Sequence, residues 1–136
     1  MYEIFEHTAD LGLRVKAKSI NTLFAEAALG MFSLVVENID QVLSKETLEI
    51  QIDGTDYQYL FFDWLNELLY ILETKHLVFS KFTVNITDKG LTASISGEKI
   101  DPSRHILDHE VKAITYHALQ VAKVENGWLA EVILDI

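Results

Sequence analysis

The chain opens on two short alternating runs. "YEIFE" reads as a first strand, and "LGLRVKAKS" places Leu11, Leu13, Val15 and Ala17 on one face with Arg14, Lys16 and Lys18 on the other, Gly12 alone breaking the pattern. The two form a hairpin around "HTAD", which puts His7, Thr8 and Asp10 in its tight connection. The period then lengthens to 3.6 in "SINTLFAEAALGMFSLVV", where Leu23, Ala27, Met31 and Leu34 recur beside Phe24, Ala28 and Phe32. Ser19 or Asn21 can cap this helix by accepting a hydrogen bond from a free backbone N–H. "QVLSKETLEIQID" alternates again at Leu48, Ile50 and Ile52 and stops at Gly54.

A longer helix follows in "TDYQYLFFDWLNELLYILETKH". Tyr57, Leu60, Phe61, Trp64, Leu65, Leu68 and Leu72 hold its apolar stripe, and Asp63, Asn66, Glu67 and Glu73 mark its wetter side. The remainder is strand-like: "VFSKFTVNITD", a turn at Lys89-Gly90, "LTASISGEKI", "VKAITYHALQVAKV", a turn at Glu125-Asn126-Gly127, and "WLAEVILDI". Asn-Gly between alternating runs is a strong hairpin signal because both residues tolerate positive φ. The expected class is α+β, two helices packed on a mainly antiparallel sheet, as one domain over residues 1–136.

Composition narrows the chemistry. At 136 residues and 49% hydrophobic, the chain can bury a sizeable core, and it lacks repeats, linkers and low-complexity stretches. No apolar run approaches the roughly 20 residues that span a bilayer, and the N-terminus has no basic or apolar leader pattern, so a cytoplasmic protein is expected. With no cysteine, a metal must take oxygen or imidazole ligands. Eleven basic against 21 acidic residues give a net charge of −10, which repels phosphate backbones and disfavours direct nucleic-acid binding. The plainer reading of such a surface is that it keeps a small hydrophobic protein soluble; the sharper one is a partner with a basic face or a hard divalent cation.

Asp135 is the more unusual acid. Trp128, Ala130, Val132 and Leu134 take one face of the last strand, leaving Asp135 with Leu129, Glu131 and Ile133 on a largely apolar face, where an uncompensated carboxylate is costly. The carboxylate of Ile136 adds oxygens one residue away, a repulsion that a metal ion or a lysine resolves. Lys112 is a candidate for that neutralising role, although a two-residue loop at the Asn-Gly turn sets it a few residues beyond the level of Ile136. Asp10 and His7 have a plainer reading as turn residues bonding nearby backbone. For a metal site to form, the HTAD turn must approach the end of the chain. His105, His109 and His117 are scattered, and the sequence holds no HExxH, phosphate loop, nucleophile elbow or recognisable triad.

Taken together, "FEHTADLGLRV", "FDWLNELLY", "VKAITYHALQV" and the closing "VILDI" resemble the archease family, from about Tyr2 to Ile136 in matching order and spacing. The resemblance implies a small α+β protein that is not itself an enzyme. It implies an activator of the RNA-splicing ligase that joins 2′,3′-cyclic phosphate ends to 5′-hydroxyl ends in tRNA splicing, helping that ligase become guanylylated and turn over. Carried over by motif, it assigns metal binding to Asp10 of HTAD and Asp135 of LDI with Ile136 beside them, and importance to Lys112 of VKA. His7 is a candidate functional neighbour. Hard oxygen donors favour Mg²⁺, Mn²⁺ or Ca²⁺. The rival readings are a metal-dependent phosphate-ester hydrolase using the same acids, and a metal-independent chaperone or scaffold.

Overall fold

The computed structural model describes residues 1–7 and 9–136; Thr8 lies outside the described residues. Strands β1 (Tyr2–His7) and β2 (Asp10–Ala17) precede helix α1 (Ile20–Val35), a 3₁₀ turn (Ile39–Gln41), β3 (Glu46–Asp53) and helix α2 (Tyr57–Lys75). Then come β4 (Leu77–Thr87), β5 (Gly90–Lys99), β6 (Ala113–Val124) and β7 (Gly127–Asp135). They form two antiparallel sheets, in the orders β1-β2-β7-β6 and β3-β5-β4. The α+β class with two helices on antiparallel sheet is therefore the observed one. Neither helix among the described residues is long and apolar enough to cross a membrane.

The helices start where their caps allow. Ser19 accepts from Thr22 N–H and caps α1, while Asn21 accepts instead from Ile86 N–H on β4. Asp56 caps α2 through Gln58 and Tyr59 N–H, and His76 in the left-handed conformation (φ 56°) ends it. One continuous apolar core joins both sheets and both helices, built on Phe24, Phe32, Phe61, Trp64 and Phe79. Phe24 meets Phe61 edge-on at 5.2 Å between ring centres, and Trp64 Nε1 donates to Phe24 O at 3.0 Å, so α1 and α2 are held by one polar bond inside an aromatic contact.

Three expectations about connections need correction. His7 pairs with Asp10, so these two residues end the strands rather than sit in the connection. Thr87 pairs with Gly90 and Val124 with Gly127, so the glycines begin strands rather than sit in the loops. At the second of these, Asn126 takes φ 68° and Gly127 φ 154°, conformations that an L side chain resists. Finally, β6 has four residues between Thr115 and Gln120 where β7 has one between Ile133 and Glu131. This bulge, with Ala118 at φ 60°, draws the start of β6 back along β7. As a result Lys112 N–H donates to Asp135 O at 2.7 Å, and Lys112 lies beside the end of β7 instead of beyond it.

A buried ion cluster fastens the segment between β5 and β6. Glu98, 3% exposed, accepts from Leu43 N–H at 2.7 Å, from His105 Nε2 at 3.1 Å and from Arg104, with Lys45 Nζ 3.7 Å away. Asp101 N–H donates to His105 Nδ1 at 2.9 Å, which leaves the ring proton on Nε2, facing Glu98. Burial alone pushes the Glu98 carboxyl up, but the Leu43 N–H, His105 and Arg104 outweigh it and hold it at about 2 against an ordinary 4.5. The folded value lies below the unfolded one. The contribution to stability is therefore complete above the ordinary value and is lost as pH falls toward about 2. Urea unfolding of Glu98→Ala at neutral pH is expected to show a loss of about 3–5 kcal/mol, since three donors lose their buried acceptor. The same variant should also lose part of the wild-type decline in stability between pH 5 and pH 3.

Candidate functional site

Directly opposed residues in an antiparallel sheet share a face, so the registers of the four-stranded sheet define its rows. On the face away from the core, one row reads Glu3, Arg14, Glu131 and Gln120. The next reads Phe5, Gly12, Ile133 and Thr115. At the end of the sheet His7 pairs with Asp10, and Asp135 pairs with Ala113. Because Leu11 pairs with Leu134, one further step sets Asp10 level with Asp135. The HTAD connection thus meets the end of the chain, which was the condition for a joint site.

The rows differ in their charge balance. In the first, Arg14 Nε donates to Glu131 at 2.9 Å and Arg14 Nη1 to Glu3 at 3.0 Å, so one cation lies between two acids. In the middle row a β-carbon on Gly12 would lie 2.2 Å from the Phe5 ring, which crosses this position and carries the Arg14 guanidinium 4.7 Å above its centre. This close approach is why Gly12 interrupts the alternation of β2. The end row carries half-buried Asp10 and Asp135, neither of which forms an ion pair among the described residues. Beside them His7 Nδ1 is buried and finds no hydrogen-bond partner among the described residues. Two neighbouring acids and an unpartnered imidazole nitrogen have the donor chemistry of a cation site. Among the described residues, however, no group of three or more His, Cys, Asp or Glu side chains converges closely enough to hold an ion alone. Ligands from the main chain of Ile136, from water or from a partner would have to complete it.

The Archease protein family matches residues 2–136. The chain belongs to the archease family. A Pyrococcus abyssi archease is 41% identical over 140 residues, covering 99% of this chain and 98% of the relative. One from Sulfurisphaera tokodaii is 37% identical over 137 residues with the same coverage. The solution structure of a Methanobacterium thermoautotrophicum protein matches with a TM-score of 0.82 at 33% identity, over 99% of this chain and 98% of that one. A Thermotoga maritima archease, called a possible chaperone, shares the fold with a TM-score of 0.70 at 20% identity, over 100% of this chain and 98% of its own.

In this archease the main chain of Lys112 is bonded to Asp135. Lys112 lines a groove of about 620 Å³ together with Asp63, Glu67, Tyr70 and Glu73 of α2 and Gln51 of the edge strand β3. Ala113, the partner of Asp135, lines the same groove, so groove and end row adjoin across the start of β6. The sequence places Asp63, Glu67 and Glu73 on the wet side of a helix but does not show that they share a groove with Lys112. The bulge that brings them together has no simple sequence signal. His105 belongs to the Glu98 cluster and His109 lies 3.7 Å from Asp108, both away from the row.

Adjacent like charges on one sheet face destabilise it by roughly 0.2–1 kcal/mol. In chelator-containing buffer, Asp10→Asn and Asp135→Asn are therefore expected to unfold at or slightly above the wild-type temperature. A clear drop in either, read by thermal unfolding, would make the carboxylates structural acceptors instead.

Proposed function

We propose that this archease is an accessory protein of an RNA-splicing ligase, acting in tRNA splicing or RNA repair by promoting ligase guanylylation and multiple turnover rather than by catalysing a reaction itself. The observation that carries the reading is the register that sets Asp10 level with Asp135 at the end of the sheet, with no basic side chain paired to either among the described residues. The matching motifs of the family and the net charge of −10 support it further, since an acidic accessory protein would address a protein partner rather than RNA.

Asp10, Asp135 and the main-chain oxygens of Ile136 would hold a divalent cation, Mg²⁺, Mn²⁺ or Ca²⁺, with His7 alongside. Bound there, the ion supplies positive charge and open coordination positions to a partner's phosphate groups. The protein's own part is positional. Core packing on the opposite face of β2 and β7 fixes the two carboxylates on neighbouring strands, so little chain entropy remains to be lost when a cation or a partner engages them. Lys112 adjoins the same end of the sheet from the groove side.

The test adds the protein substoichiometrically to its cognate ligase with GTP and a divalent ion, following ligase guanylylation and joining over many turnovers. Stimulation is expected from the wild type, with Asp10→Ala and Asp135→Ala reduced to the level of ligase alone. Full stimulation by either variant would remove the row from the mechanism. An independent readout is thermal unfolding with added Mg²⁺, Mn²⁺ or Ca²⁺. At about 100 times the dissociation constant the wild type should gain about 2.7 kcal/mol, and Asp135→Asn should gain little. Consumption of a phosphate ester by the protein alone would favour the hydrolase reading.

A further inference from the structure

Helix α2 presents one side to solvent that packing within the chain does not explain. Tyr59 and Tyr70 are 60% and 62% exposed on this side, and Tyr116, 41% exposed, reaches it from β6. Tyr59 and Tyr116 are stacked with ring centres 5.6 Å apart, and Phe62 meets Tyr116 edge-on at 5.4 Å. Large aromatic rings left in water at the outside of a helix are unusual unless they meet something.

The backbone that presents Tyr116 is strained. The three extra residues of the β6 bulge leave the β7 ladder, and Ala118 holds φ 60° at a cost of about 1–2 kcal/mol for a residue with a side chain. A regular hairpin would avoid that cost but would pair residues 116–119 with β7 and move Lys112 away from Asp135. The bulge therefore serves two placements together: Tyr116 against α2, and Lys112 in the groove.

The charge on this side is one-sided. Asp56 caps the start of α2, Asp63, Glu67 and Glu73 lie along it between and beside the tyrosines, and Lys112 is the basic residue among the groove's lining. We infer that this face of α2, with the groove beside it and the stacked Tyr59–Tyr116 pair at one end, docks a Lys/Arg-bearing segment of the partner ligase. The carboxylates attract the basic side chains, and the tyrosine faces receive their cations at short range. Nucleic acid is excluded by the same charges. A second copy is disfavoured, because a two-fold contact would bring the like-charged faces of α2 together. The inference rests on the ligase reading and adds the surface by which the partner is held, next to the carboxylate row rather than upon it.

Binding of the full chain to its cognate ligase, measured at about 50 and about 200 mM salt, tests it. Asp63→Lys with Glu67→Lys, and separately Tyr59→Ala with Tyr116→Ala, should each weaken binding about tenfold or more. The wild-type affinity should fall with salt. Glu37→Lys with Asp40→Lys, the same charge change on the loop after α1, should leave binding within about twofold. Thermal unfolding and circular dichroism check that each variant is folded. If the wild type binds and the α2 variants bind equally well, the docking face is wrong while the ligase reading stands. If the wild type does not bind, the ligase reading fails and the inference falls with it. If sedimentation shows a dimer of the chain alone that the α2 variants dissociate, the occupant is a second copy and the inference is overturned.

Discussion

The pairing of β2 with β7 is the constraint on which the rest of the molecule depends. It joins the first hairpin to the last, across nearly the whole chain, and its register is set by burial. Leu13 pairs with Val132 and Val15 with Ala130, all four at 0 or 1% exposure on the core side. A slip of one residue would turn Arg14 or Glu131 into that core, which no cation or water there could offset. The opposite face has no such freedom left, so the positions of Asp10 and Asp135 follow from the packing of leucine and valine behind them.

That arrangement gives the end of the sheet an unusual electrostatic character. Four residues along from the Asp10–Asp135 level, Arg14 is shared by Glu3 and Glu131, and the charges nearly balance. At the end row two acids stand together beside an imidazole nitrogen that has no partner among the described residues. Repulsion of this kind is tolerated where the missing charge arrives from outside, as an ion or as part of another protein. The Glu98 cluster shows the contrasting solution. There a single carboxylate is satisfied by Leu43, His105 and Arg104, and the result is a fixed loop rather than an open site.

The bulge in β6 ties the carboxylate row to the acidic groove beside α2. Without its extra residues, Lys112 would lie past the end of β7 and Tyr116 would continue the ladder. With them, the main chain of Lys112 bonds Asp135 and Lys112 lines a groove with the acids of α2. The groove and the carboxylate row thus lie on either side of one short segment at the start of β6. The strain at Ala118 is then a local cost held in place by the packing of Tyr116 between Tyr59 and Phe62.

Much of this was determined by the sequence alone. The α+β class, both helices and the alternating strands follow from hydrophobic period and capping residues, because those signals act over a few neighbouring positions. Asp10, Asp135, Ile136, Lys112 and His7 were legible as candidates because their motifs are local strings whose order and spacing resemble a known family. What the tertiary structure decided is which distant residues share a row. Nothing near Asp10 in sequence specifies Asp135 as its neighbour; that follows from a long-range register chosen by the core. The placement of Lys112 and the exposed tyrosine stack depended on a bulge, and a bulge leaves the alternation of its strand nearly unchanged while shifting everything beyond it by whole residues. Periodicity reveals which way a side chain faces, but only the folded sheet fixes what it faces.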